Sequence, residues 1–232
     1  MIRTFFWWLV FIPSTVLFSL LTMAARVFDG SGNTSHNLNR VWGRVAVRAA
    51  GCRVEIRGMD NLLKQGQIIV SNHQSGFDIY ALTAYIPVQI RWIAKKSLFR
   101  IPVMGWGMKA SGYISLDRDN PRNALRSLRL AAENIRQGRS AVIFPEGTRT
   151  PDGALKEFKK GLFRIAKKAR CPLTPVTIDG TFNIMKKKSL RVNPQAVRIT
   201  IDPPIPFSQV RELGEERVLD KIRGLMLGNL NG

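Results

Sequence analysis

The chain has 232 residues, enough for one sizeable core and a small appendage, since single domains run to about 100–250 residues. Its 45% hydrophobic and 22% charged residues exclude wholesale disorder and collagen-like repetition. A net charge of +20 demands something anionic nearby, whether nucleic acid, anionic lipid or an acidic carrier protein.

The first element is the uncharged run Thr4 to Ala25, which includes Phe5, Phe6, Trp7, Trp8, Phe11, Leu17, Leu20 and Leu21. As a helix it is long enough to cross a hydrocarbon core, which takes roughly 20 apolar residues. Pro13, Ser14 and Thr15 interrupt its middle, and Trp7 and Trp8 are side chains that favour a membrane interface. A cleaved signal peptide is the rival reading, with Arg3 as its positive end and Thr22-Met23-Ala24 as a poor cleavage site.

A second helix is expected from Ser35 to Ala50. There Leu38, Val41, Trp42, Val45 and Ala49 form an apolar stripe, and Arg40, Arg44 and Arg48 recur every fourth position. Alone, this is a surface helix with a solvated basic face. Joined to the apolar helix by the Gly/Ser/Asn-rich turn Asp29 to Thr34, it suggests a membrane hairpin over residues 1–50.

From Gly51 short apolar runs alternate with helical patterns. Strands are expected at Arg53 to Ile56, Gln67 to Ser71, Arg91 to Ala94, Tyr113 to Leu116, Ser140 to Phe144, Leu173 to Ile178 and Val197 to Ile201. One helix follows the cap Asn120 and the first-turn Pro121, and ends at Gly138; others run from Lys160 to Ala169 and from Glu215 to Leu227. This alternation indicates a single α/β domain over residues 51–232, with a largely parallel or mixed sheet flanked by helices. Cys52 and Cys171 are far apart and in no C-x-x-C pattern, which suggests neither a disulfide framework nor a cysteine zinc site.

Only two histidines are present. His36 lies on the basic helix and is given no chemical role. His73 follows the apolar run Ile68-Ile69-Val70, at the carboxyl end of a strand, where open α/β sheets bind ligands. Asp78, five residues on, can fold back to His73 Nδ1 and leave Nε2 as a general base. Alone, the spacing also fits a helix-capping aspartate. The second constellation, Phe144-Pro145-Glu146-Gly147-Thr148-Arg149, again follows a strand, and offers a turn, a hydroxyl and a guanidinium to an oxyanion; its plain alternative is an ordinary turn with one exposed Arg.

Together, Asn72-His73-x-x-x-x-Asp78 and Phe144-Pro145-Glu146-Gly147-Thr148-Arg149 resemble two motifs of the glycerolipid acyltransferase family, the bacterial 1-acyl-glycerol-3-phosphate acyltransferases in particular. Gly112-Tyr113-Ile114-Ser115-Leu116-Asp117-Arg118 resembles the family's strand ending in Asp-Arg, and Leu173-Thr174-Pro175-Val176-Thr177-Ile178 its Pro-Val strand. Lys95-Lys96-Ser97-Leu98-Phe99-Arg100-Ile101-Pro102 and Phe158-Lys159-Lys160-Gly161 resemble connecting segments.

The resemblance implies acyl transfer from an acyl carrier protein or coenzyme A thioester to a lysophospholipid hydroxyl, with His73 as base and Asp78 orienting it. The acceptor it implies is lysophosphatidate, with glycerol 3-phosphate or another lysolipid as the alternative. Lys95, or Lys96 in its place, Arg118 and Arg149 are the candidates for the substrate phosphate and developing oxyanion. Gly147 and Thr148 line the same turn. Glu146 is expected to organise the loop, to hold a cation such as Arg149, or to touch a glycerol hydroxyl. No cofactor or metal is expected.

Between Lys156 and Arg191 eleven Lys or Arg stand against two acids, including Lys186-Lys187-Lys188, which suits an anionic membrane surface or a phosphorylated donor. The expected location is the inner membrane, with the catalytic domain on the cytoplasmic side. A basic nucleic-acid-binding protein is the competing class, but no RNA-binding aromatic signature, helix-turn-helix or zinc spacing supports it.

Overall fold

The computed structural model describes residues 1–117, 121–159 and 161–231. Arg118, Asn120 and Lys160, to which roles are assigned above, lie outside them. Helices α1 (Ile2–Phe28) and α2 (Asn33–Ala49) precede a seven-stranded sheet made of β1 (Arg53–Arg57), β2 (Ile68–Ser71), β3 (Ile90–Lys95), β4 (Ile114–Leu116), β5 (Ser140–Ile143), β6 (Leu173–Asp179) and β7 (Ala196–Ile201). Between the strands lie α3 (Phe77–Tyr85), α4 (Met104–Ala110), α5 (Pro121–Arg136), α6 (Gly161–Ala169) and the short α7 (Thr181–Ile184); α8 (Phe207–Asn231) closes the chain.

The strand order is β1-β7-β6-β2-β5-β3-β4. From β6 to β4 all neighbours are parallel, whereas β7 is antiparallel to β6 and parallel to β1, so the sheet is mixed. The parallel strands therefore deliver Ser71, Ile143, Lys95 and Leu116 to one edge, from which the loops carrying His73 and Glu146–Arg149 leave.

Along β2 the side chains alternate between two cores, as strand geometry requires. Ile69 joins Trp7, Val47, Phe77 and Leu82 on the α1–α3 side, while Ile68 and Val70 join Ala132, Ile135, Ile165 and Ile222 on the α5–α8 side. The hairpin is part of the first core. Trp7, expected at a membrane interface, is fully buried: its Nε1 donates to Ala46 O at 2.9 Å, and its ring stacks on Phe11 at 4.3 Å.

Two other expectations change. Helix α1 runs through Pro13 without a break, and the hydroxyls of Ser14 and Thr15 both bond back to Phe11 O, at 3.0 and 2.7 Å, within the helix. Helix α2 buries Ser35, His36, Gly43, Ala46 and Val47 rather than its apolar stripe, from which Val41 points outward and Trp42 reaches Thr15 of α1. Small residues win that face because the helices meet closely: a Cβ on Gly43 would lie 2.8 Å from Tyr80 O.

The turn between α1 and α2 is held by a buried cation. Arg91 on β3 donates to Ser31 O at 3.1 Å and Asn33 Oδ1 at 2.6 Å, and burial lowers its pKa to about 10. His36 is equally enclosed. Its Nε2 accepts the Ile90 N–H at 3.3 Å and its Nδ1 lies 3.2 Å from the Tyr113 hydroxyl. Burial, then the charges of Arg91 and Arg40, drop its pKa to about 3, so it is a neutral structural histidine.

Candidate active site

The turn after β2 is braced before it is functional. Asn72, fully enclosed, grips the β6 backbone with both ends of its amide: Oδ1 accepts Ile178 N and Nδ2 donates to Ile178 O, each at 2.8 Å. The next residue is thereby fixed at the carboxyl edge. His73 N donates to Glu146 Oε1 at 2.6 Å, His73 O accepts Thr150 N at 2.9 Å, and the imidazole stacks on Phe144 with centroids 3.9 Å apart.

His73 Nδ1 lies 2.8 Å from Asp78 Oδ2 in the first turn of α3. That oxygen also accepts the backbone N–H groups of Gln74 and Ser75, at 2.7 and 2.8 Å, while Oδ1 accepts the Thr181 hydroxyl from α7. Four donors thus satisfy the oxygens of this fully buried carboxyl group without help from solvent. It fixes the proton on Nδ1, leaving Nε2 as a proton acceptor on a side chain that is 15% exposed.

Glu146 is bonded through both of its oxygens. Its Oε1 holds His73 N and its Oε2 accepts Lys156 N at 3.1 Å, tying the two loops together, and it forms no ion pair with Arg149 among the described residues. Burial pushes its carboxyl above the usual range, against the two backbone donors that favour the charged form. Gly147 turns the chain at φ +74°, where a side chain would be strained and would press on Lys159 at 3.2 Å. Thr148 is exposed beyond it, and the Arg149 guanidinium approaches Gly76 at the start of α3.

Just past β3, Lys96 pairs with Asp117 at 2.8 Å, whereas Lys95, the strand's last residue, is exposed without an ion-pair partner among the described residues. The geometry thus joins His73, Asp78, Glu146, Gly147, Thr148 and Arg149 in one locus, and sets Lys95 on the same sheet edge. Asn72, Phe144 and Thr181 complete the locus with parts that sequence reading did not assign. Thr181 carries no local signal, since its partner lies 103 residues earlier.

Residues 53–179, which hold the sheet edge and both loops, match the family model described as Acyltransferase. The chain belongs to the acyltransferase family. A solved member, the 1-acyl-sn-glycerophosphate (LPA) acyltransferase PlsC from Thermotoga maritima, superposes with a TM-score of 0.83 at 25% identity, over 97% of this chain and 92% of that one. The 1-acyl-sn-glycerol-3-phosphate acyltransferase of Helicobacter pylori is 36% identical over 68% of this chain and 69% of its own length. A chloroplastic 1-acyl-sn-glycerol-3-phosphate acyltransferase from Brassica napus is 37% identical over 78% of this chain, which spans only 53% of that relative.

Proposed function

We propose that this acyltransferase transfers a fatty acyl group from a thioester, carried by coenzyme A or acyl carrier protein, to the sn-2 hydroxyl of 1-acyl-sn-glycerol 3-phosphate, forming phosphatidic acid. The observation that carries the reading is the contact between His73 Nδ1 and Asp78 Oδ2 at 2.8 Å, which leaves Nε2 over, in a turn whose His73 carbonyl is tied to Thr150 N. The names of the relatives supply the acceptor.

In the first step Nε2 takes the proton of the acceptor hydroxyl as its oxygen bonds to the thioester carbonyl carbon. Asp78 stabilises the resulting imidazolium. The tetrahedral oxyanion then collapses, the C–S bond breaks, and the leaving thiolate takes the proton back from His73. The substrate hydroxyl is itself the nucleophile, so no acyl-enzyme forms. Arg149 receives the acceptor phosphate, with Lys95 and Arg118 assigned to the same duty, and Glu146 keeps the two loops in register.

Residues 1–50 serve as the membrane-associating unit and residues 51–232 as the catalytic domain, facing the cytoplasm from the inner membrane. Helix α1 is long and apolar enough to cross a bilayer. Its packing favours lying in one leaflet instead, since it meets the body from Trp7 to Thr22, with Phe5, Leu9, Ile12 and Leu17 more than half exposed along its other side.

The test is thiol release by the purified full chain with both donors against lysophosphatidate, glycerol 3-phosphate and lysophosphatidylcholine. Lysophosphatidate should give the highest kcat/KM, and His73→Ala should lower turnover about 10²–10⁴-fold. Full activity in a folded His73→Ala protein, or no preference among acceptors, would overturn the reading.

A further inference from the structure

The connection from β6 to β7 touches everything that matters in this molecule. It begins at Thr181, whose hydroxyl bonds Asp78, and its Met185 carbonyl accepts the Ser75 hydroxyl at 2.8 Å. Next come three lysines that do not behave alike. Lys186 and Lys188 are exposed, whereas half-buried Lys187 turns inward, its Nζ 3.3 Å from Thr148 Oγ1 and 3.2 Å from Arg149 O. A few residues later the loop is fastened to α1. Trp8 Nε1 donates to Leu190 O at 3.0 Å, and the Thr4 hydroxyl accepts Val192 N at 3.1 Å.

Lys187 thus places an ammonium on the turn that already carries Arg149, and neither has an ion-pair partner among the described residues. Two partly buried cations borne by one turn lose hydration, a state that an incoming anion relieves. An ammonium has three donors, of which Thr148 and Arg149 take two. Both bonds are long enough for the group to shift toward a third acceptor.

We infer that Lys187 is a further acceptor-binding residue, supplying a second cation beside Arg149 for the phosphate monoester; this rests on the reading given under Proposed function. The ties to Thr4 and Trp8 hold the ammonium at a set height against α1, where the headgroup of a lipid seated along that helix would lie. Lys186 and Lys188 face outward and have no part in it.

The experiment measures calorimetric binding of a short-chain lysophosphatidate, kept below its micelle concentration, and of the monoacylglycerol with the same chain. The proteins are the full-length wild type, Lys187→Met, Lys187→Arg and Lys188→Met. Lys187→Met should bind lysophosphatidate about ten- to a hundredfold more weakly, the weight of one charged hydrogen bond. Its monoacylglycerol binding should be unchanged, Lys187→Arg should recover most of the loss, and Lys188→Met should behave as wild type. Unaltered lysophosphatidate binding by Lys187→Met would overturn the inference. Equal loss of both lipids would also do so, as it would mark a collapsed loop, and an equal loss in Lys188→Met would mark diffuse surface charge. Turnover on the same samples reports on acyl transfer separately. A wild type that binds lysophosphatidate through Lys187 yet releases no thiol would overturn the acyl-transfer reading and uphold the phosphate site.

Discussion

Asp78 offers its oxygens to three N–H groups on one side and a hydroxyl on the other, and this division predicts how its amide would behave. In Asp78→Asn the remaining oxygen can keep the three N–H donors while the new NH₂ donates to Thr181, whose hydroxyl turns to accept. The variant should unfold near the wild-type temperature yet lose about 10²–10⁴ in kcat, because a neutral amide does not stabilise the imidazolium. A melting curve beside a kinetic assay checks both halves. Thr181→Val should cost about 1–3 kcal/mol of stability, the penalty for stripping a buried acceptor of its partner, read from a denaturant midpoint. His36 gives a pH dependence. Its folded pKa of about 3 lies below the ordinary 6.5, so its contribution is whole above pH 6.5 and is lost as the pH falls toward 3. The slope approaches 1.36 kcal/mol per pH unit, and His36→Gln, which still offers an acceptor to Ile90 N–H, should show a shallower acid loss of stability. His73 and Asp78 were legible because both partners sit within one turn. Asn72, Phe144, Thr181 and Lys187 take their roles from partners in distant segments, and spacing does not encode those.

At the scale of elements, the strands were legible almost residue by residue. The expected run Arg53 to Ile56 became Arg53–Arg57, and Leu173 to Ile178 became Leu173–Asp179, because β-branched runs between turn residues have few other ways to bury themselves. Helices hidden on several sides were harder. Helix α3 buries Phe77, Asp78, Ala81, Leu82, Thr83 and Ala84, which leaves no polar stripe to reveal its period, and α4 contains Gly105 and Gly107. Helix α8 is two helices joined at a kink, with Gly214 at φ 76°: the helix expected from Glu215 is the second of them, and the stretch from Phe207 before the kink was not anticipated. Gly107 exists for a close crossing, since a Cβ there would sit 2.9 Å from Ser19 Cα of α1. Gly43 plays the same part between α2 and α3. Replacing Gly43 by Val should cost about 1–3 kcal/mol by overpacking, seen as a lower melting temperature, whereas Gly224→Ala on α8, where nothing lies near, should change little or stabilise slightly.

The whole molecule is organised around a helix that faces two ways. Trp7 fills the core while Phe5 and Leu9, on the same turns, are 71% and 59% exposed. Composition revealed the apolar run but not this division, which depends on where α3 and α4 stand. Two kinds of change should therefore separate. Phe5, Leu9 and Ile12 changed together to Gln should keep the melting temperature and lose flotation with anionic vesicles; retained flotation would place the membrane contact elsewhere. Deleting residues 1–50 should instead unfold the chain, because it uncovers Phe77 and takes from Arg91 two of its acceptors; a soluble, cooperatively melting product would show the body to be independent. The pairing of Arg53 on β1 with Ala196 on β7 bears on how the molecule is born. The first strand of the sheet waits for the seventh and last, and at about 5–20 residues per second this takes on the order of ten seconds on the ribosome. Throughout that interval α1 has left the exit tunnel with no finished sheet beneath it. The nascent chain must rest that helix on a lipid surface or a chaperone before the enzyme exists, and refolding from denaturant in plain buffer should end in aggregates that added detergent micelles prevent.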